Sequence, residues 1–241
     1  MHPVFRSIIQ AVARSFVRQK PPLALEDSKK QIPFGLPHVD KDNTAIICRH
    51  AYVTENDKVA KLPIWVSYVL TPDHAEGDLE RSNNFESDQS LPRTQRAYPR
   101  DYEHSGYDIG HIANAGDMRW SEQTENESFY LTNMCPQIPN FNRGIWKVLE
   151  TQVRDWARER QHSLLIYAGP IYNVNIDSHI GIDHVCVPHE FYKIVVDLTT
   201  KEVKAYLFPH KEHEDSDLTP FESTAAEIES KTGVTFPLPK N

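Results

Sequence analysis

The apolar positions of the chain change rhythm several times, and each change marks an element. Residues 44–53 and 63–70 are dense in β-branched and aromatic side chains, as strands are. Glu55-Asn56-Asp57-Lys58 between them is polar and turn-like, so a loosely joined hairpin is predicted. From 140 to 160 the period becomes helical: Ile145, Trp146, Leu149, Val153, Trp156 and Ala157 form an apolar stripe at spacings of three and four. Asn142, Trp146, Glu150 and Arg154 follow one another by four, which lays an amide, an acid and a guanidinium along one drifting side of that helix. Strand patterns recur at 129–134, 163–168, 191–197 and 203–208, with Gly169-Pro170 closing the second of these. Thr219-Pro220-Phe221-Glu222 has the form of a capping box with proline at the first helical position, and predicts a final helix running to Lys231 and stopping at Gly233. Strands around one central and one terminal helix predict an α+β domain with mainly antiparallel sheet.

Two polar stretches break this pattern. Residues 21–43, with Pro33 and Pro37, read as an irregular linker or arm. Residues 71–106 are a loop of a length that is uncommon inside a compact domain and often functional; it carries Arg81, Arg93, Arg96 and Arg100. Before the arm, Phe5, Ile8, Ile9, Val12 and Phe16 recur at helical spacing among Arg6, Arg14, Arg18 and Lys20, with no acid in the first twenty residues. Arginines interrupt the continuous apolar core that a secretory signal needs. The segment reads as an organelle-targeting presequence or a surface-binding amphipathic helix, or else as an ordinary helix docked on the domain. The expected organisation is an N-terminal amphipathic helix and arm over 1–43 and one domain over 44–241.

Composition narrows the function. At 241 residues the chain can bury a core without covalent staples, and its net charge of −8 argues against a surface coated for general nucleic-acid affinity, though not against a local basic groove. The three cysteines, Cys48, Cys135 and Cys186, are odd in number and widely spaced, which excludes a disulfide framework or zinc module. No apolar run approaches the length of a membrane span.

The candidate chemistry lies in Tyr107-Asp108-Ile109-Gly110-His111, followed by Asn133-Met134-Cys135-Pro136-Gln137, Asn142-Arg143-Gly144-Ile145-Trp146 and Leu149-Glu150. Cleaving a phosphodiester requires an activated water, charge at the phosphate and help for the leaving oxygen. A histidine is a suitable base near neutrality. An asparagine oxygen can hold a hard cation that keeps most of its waters, without neutralising its charge as several carboxylates would. Arginines hold phosphate oxygens as paired donors.

Taken in order, these segments resemble the DNA/RNA non-specific endonucleases, the ββα-metal (His-Me finger) family. Its members read Asp-Arg-Gly-His, then an Asn-x-x-Pro-Gln segment, Asn-x-x-x-Trp, Leu-Glu and an arginine. Cys48-Arg49-His50-Ala51-Tyr52, Trp65-Val66-Ser67-Tyr68, Gly169-Pro170-Ile171-Tyr172 and Phe191-Tyr192-Lys193 extend the resemblance over about residues 44 to 236. It implies an α+β, mainly antiparallel fold with a ββα-metal core. It also implies a Mg²⁺-dependent enzyme, with Mn²⁺ as a substitute, cutting DNA and RNA to 5′-phosphate and 3′-hydroxyl ends. His111 would be the general base, Asn142 the direct metal ligand and Glu150 a ligand through water. Asn133 would support the histidine, and Arg81, which would also bind the substrate phosphate, and Arg154 would complete the catalytic set. A homodimer and a protein inhibitor are partners the resemblance allows. Compartment stays open between mitochondria and a bacterial or phage cytoplasm, with classical secretion disfavoured.

One position departs from the family pattern: its arginine in Asp-Arg-Gly-His is Ile109 here. Three outcomes follow. Arg119 or Arg143 substitutes as a substrate-binding cation, activity survives in weaker or narrower form, or the chain binds nucleic acid or regulates a partner without cutting. The retained His111, Asn142 and Glu150 favour a live enzyme.

Overall fold

The computed structural model describes residues 19–214 and 216–239, so the amphipathic segment expected at the N-terminus lies outside the described residues. Its main strands are β1 (Thr44–Cys48), β2 (Val53–Asp57), β3 (Leu62–Leu70), β4 (Asp108–His111), β5 (Met134–Gln137), β6 (Leu164–Ile171), β7 (Glu190–Asp197), β8 (Val203–Pro209) and β9 (Glu222–Ser223). The main helices are α1 (Glu122–Ser128), α2 (Lys147–Arg160) and α3 (Ala225–Thr232). Seven strands form one antiparallel sheet in the order β9-β8-β7-β6-β3-β2-β1, and β4 pairs with β5 in a separate two-stranded ribbon. The fold is the expected α+β class with a large antiparallel sheet.

The sheet is the middle layer. Successive residues of a strand face opposite sides, and the alternation divides the core in two. Tyr68 and Phe191 face one apolar cluster, which also takes Trp146, Leu149 and Val153 from the α2 side. Trp65, Tyr192 and Ile194 face the other, with Ile228 of α3 and the segment around Ile32. The first of these layers carries the ribbon and α2, and with them the candidate site.

Several local expectations are corrected. Residues 44–70 form three strands, because Glu55-Asn56-Asp57 is the end of β2 and not a turn. Their polarity misled: Glu55 is buried against Trp65 Nε1, 2.9 Å away, and Asn56 Nδ2 donates to the Thr132 carbonyl at 3.0 Å. The run at 129–134 is not a strand: Phe129 caps α1, a 3₁₀ turn spans Leu131–Asn133, and β5 starts at Met134. Gly169 and Pro170 do not close β6, which continues to Ile171. The last helix begins after Thr224, whose hydroxyl accepts from Glu227 N at 3.1 Å, while Thr219–Phe221 is only a 3₁₀ turn. Gly233 does end it, with φ of 70°. The arm before β1 packs on the sheet: Ser67 Oγ donates to Gln31 O at 2.6 Å, and Gln31 Oε1 accepts from Val69 N at 2.8 Å. Among the described residues no helix is long and apolar enough to cross a membrane.

Candidate active site

The ribbon presents the histidine. Gly110 lies opposite Cys135, and the Gln137 side chain occupies the space a β-carbon at Gly110 would take, so any other residue there would displace that buried amide. His111 ends β4 and leaves only 7% of its surface exposed. Its ring packs edge-on to Phe129, centroids 4.8 Å apart, and tilted against Phe85 at 5.7 Å. Its buried Nε2 has no partner among the described residues. A buried polar nitrogen left unpaired costs about 1–3 kcal/mol, which a site tolerates when a ligand or water is to occupy it. Burial, then the nearby charge of Arg81, depresses the imidazole pKa to about 3, so the ring is neutral in the working range.

Asn133 holds this segment in place. It is wholly buried; its Oδ1 accepts from Ala113 N at 2.8 Å, and its Nδ2 donates to the carbonyls of Ala113 and Ser128, both at 2.9 Å. Its amide is consumed by backbone, which makes it a positioning residue behind His111.

The helix side meets the ribbon through Trp146, whose Nε1 donates to His111 O at 3.4 Å. Residues Asn142–Trp146 form a π-turn with a non-helical Gly144 at φ −100° and ψ −115°. The expected row spaced by four therefore breaks at Gly144: Trp146, Glu150 and Arg154 follow α-helical spacing, and Asn142 is rotated away by the wider turn. That rotation delivers Asn142 to the ribbon. Its Nδ2 donates to Asp108 Oδ2 at 2.9 Å, which orients the carbonyl Oδ1 away from the carboxylate. Arg143 Nε donates to the same oxygen at 2.8 Å and its Nη2 to Oδ1, in an exposed bidentate ion pair.

Beneath lies a charge network that sequence reasoning missed. Asp117 Oδ1 accepts from Arg154 Nε at 2.8 Å and its Oδ2 from the Tyr68 hydroxyl at 2.9 Å. Lys193, 1% exposed, places its ammonium 4.6 Å from the centre of the Trp146 ring. Burial raises the Glu150 pKa to about 7, against the charges of Lys193, Arg154 and Arg81 and with that of Asp117. A lysine between Tyr192 and Ile194 in an otherwise apolar strand was the available signal for Lys193.

The structure thus brings together His111, Arg81, Glu150 and Arg154, which share one electrostatic neighbourhood, and it joins Asn142 and Arg143 through Asp108. Arg81 is exposed, its guanidinium carbon 5.3 Å from the Phe129 ring that also flanks His111. Arg119 donates to the carbonyls of Asp78 and Leu79, so it shapes the segment that leads to Arg81. Ile109 shares a face of β4 with His111 and packs half-buried on the core.

The family model for DNA/RNA non-specific endonucleases matches residues 32–240. The chain belongs to that family. The endonuclease is 31% identical over 210 residues to endonuclease G, mitochondrial, of Bos taurus, covering 82% of this chain and 68% of the relative. It is 31% identical over 209 residues to a mitochondrial nuclease of Saccharomyces cerevisiae, covering 77% and 63%. A crystal structure of an EndoG/EndoGI complex superposes with a TM-score of 0.80 at 28% identity, covering 88% of this endonuclease and 92% of that chain. The ribbon followed by α2 is accordingly the ββα-metal core of the nuclease fold.

Proposed function

We propose that the protein is a Mg²⁺-dependent, sugar-nonspecific endonuclease that hydrolyses DNA and RNA with His111 as general base. The observation that carries this reading is His111 itself: neutral, buried, with an unpartnered nitrogen, and flanked by Arg81. The neutral imidazole takes a proton from water as the water oxygen bonds to phosphorus. The bond to the 3′ oxygen breaks, its electron pair leaves on that oxygen, and a solvent proton completes the 3′-hydroxyl. The other product end is a 5′-phosphate. Arg81 and Arg154 offset charge gathering on the phosphate.

The residues fit a hard cation. Asn142 Nδ2 is held by Asp108, which leaves Oδ1 turned away from the carboxylate and available to the ion; in this reading Glu150 acts through the ion's waters. Among the described residues no group of three or more His, Cys, Asp or Glu is arranged to hold a metal. This donor set suits a cation that keeps most of its hydration shell, as Mg²⁺ does, with Mn²⁺ as a substitute. Such an ion supplies positive charge at the leaving oxygen.

The competing reading, a weakened or non-cutting relative, draws on Ile109, which places an apolar side chain where the family carries a cation. Arg143, held on Asp108 beside Asn142, is the neighbouring cation that answers it. The test is cleavage of plasmid DNA and of RNA with Mg²⁺, with EDTA, and in Asn142→Ala and Ile109→Arg. Chelation should abolish cutting, and Asn142→Ala should lower it by about 10²-fold or more. Cutting that survives both sinks the metal assignment. No cutting by the parent, restored in Ile109→Arg, selects the weakened relative. The names of the relatives and the arginine-rich N-terminal segment support a mitochondrial location.

A further inference from the structure

The arginines of the long polar loop that the site does not use lie together. Arg93, Arg96 and Arg100 converge with Thr94, Tyr98 and Asp183 around an open cleft of about 420 Å³. The guanidinium carbons of Arg100 and Arg96 stand 4.1 and 5.4 Å from the centre of the Tyr98 ring. Arg96 is fixed further: its Nε donates to the Tyr98 hydroxyl at 3.2 Å, and its Nη1 to the carbonyls of Asp88 and Leu91 at 3.1 and 3.3 Å. The Tyr98 hydroxyl in turn donates to Arg93 O at 3.0 Å. One carboxylate lines the cleft, Asp183, which accepts from Arg100 Nη2 at 2.7 Å. In a chain of net charge −8, three guanidiniums against one acid reverse the sign of the surface locally.

We propose that this cluster binds backbone phosphates of the nucleic acid at a distance from the scissile bond. The inference rests on the nuclease reading above. Guanidinium forks match phosphate oxygens, and their preorganisation on Tyr98 reduces the side-chain ordering that binding would otherwise cost. With two guanidiniums already over the ring, recognition falls to the phosphates. The cluster is linked to the site: residues Pro99–Tyr102 pack on β4, which carries His111. About ten residues separate Tyr98 from Asp108, so the two regions are at most about 35 Å apart. At about 3.4 Å per nucleotide that is a reach of no more than roughly ten phosphates, so a strand of about 40 nucleotides covers both regions, while one of about 3 carries little beyond the scissile phosphate.

The test uses the full chain with Arg93 and Arg100, both exposed, changed together to alanine. Cleavage is compared on strands of about 40 and about 3 nucleotides, and binding of the long strand is titrated against salt in EDTA. The double variant should lose about 5–20-fold in kcat/KM on the long strand and stay within about twofold on the short one. The slope of log affinity against log salt should flatten by roughly 0.7–0.9 for each phosphate that the variant no longer holds. An unchanged long-strand rate and salt slope, or an equal loss on both lengths, overturns the proposal. A change in particle mass with long-strand cleavage intact assigns the cluster to the interface with a second copy and also overturns it. A parent that cuts neither length but shows the salt-slope difference removes the nuclease reading while leaving the phosphate site standing.

Discussion

Replacing His111 by alanine is expected to lower the rate of DNA and RNA cleavage by about 10²–10⁴-fold while leaving metal-free binding of duplex near the parental value. The imidazole ends β4 near Arg81, and its neutrality makes it a proton acceptor without prior deprotonation. Cleavage within about tenfold of the parent, with the same metal requirement, would assign the base to another group. The substitution has a second consequence through linkage. Unfolded histidine titrates near 6.5 and folded His111 near 3, so between these values the unfolded chain binds the proton and the native chain does not. The depressed pKa means that stability is fully present above about pH 6.5 and is lost as pH falls toward 3. At pH 5 the loss from this group is about 2 kcal/mol relative to pH 7. Urea unfolding of metal-free protein at both pH values should show a smaller acid destabilisation in His111→Ala. An identical pH response would mean that the native imidazole titrates normally.

The parts of the site legible in the sequence are those whose side chains act within a few residues of one another. Asp108 to His111 reads as a motif because a short strand presents it, and Trp146, Glu150 and Arg154 read as one side because a regular helix does. For Asn142, expected in the same row, local periodicity fails: the π-turn at Gly144 rotates it toward Asp108. The buried partners are harder to see. Asp117, Tyr68 and Lys193 come from a loop and two separate strands, and only the stacking of sheet on helix brings them to Glu150 and Arg154. Polarity also makes Glu55-Asn56-Asp57 look like a turn, because a buried acid paired with Trp65 cannot be told from a solvated one by composition. Family and fold were both legible because the ordered motifs span most of the chain.

Asp88→Ala should destabilise the protein by about 3–5 kcal/mol, the cost of leaving a buried charge without its partner. Arg49 and Asp88 have side chains 1% and 0% exposed, and Arg49 Nη2 donates to both carboxylate oxygens at 2.7 Å. Arg49 also lies over the Tyr130 ring at 4.6 Å and donates to Lys20 O at 3.1 Å. The Thr132 hydroxyl donates to Asp88 Oδ2 at 2.6 Å, and Thr132 is joined to Asn133, which holds the segment after His111. The pair therefore connects the β1–β2 turn, the long polar loop and the support of His111. Burial opposes ionisation of Asp88, but the charge of Arg49 and the hydrogen bonds of Ser90 and Thr132 outweigh it and hold the pKa below the usual carboxylate value. With the folded pKa depressed, this stabilisation is present above the ordinary carboxylate range and disappears as pH falls through the folded value. Urea unfolding at pH 7 reads the loss, and a loss below about 1 kcal/mol would mean that Arg49 finds water or another acid. The double change Arg49→Met with Asp88→Leu separates the two contributions. If the unpaired charge is the cause, the apolar pair regains much of the stability; because Thr132 still lacks its acceptor, the cleavage rate stays below that of the parent.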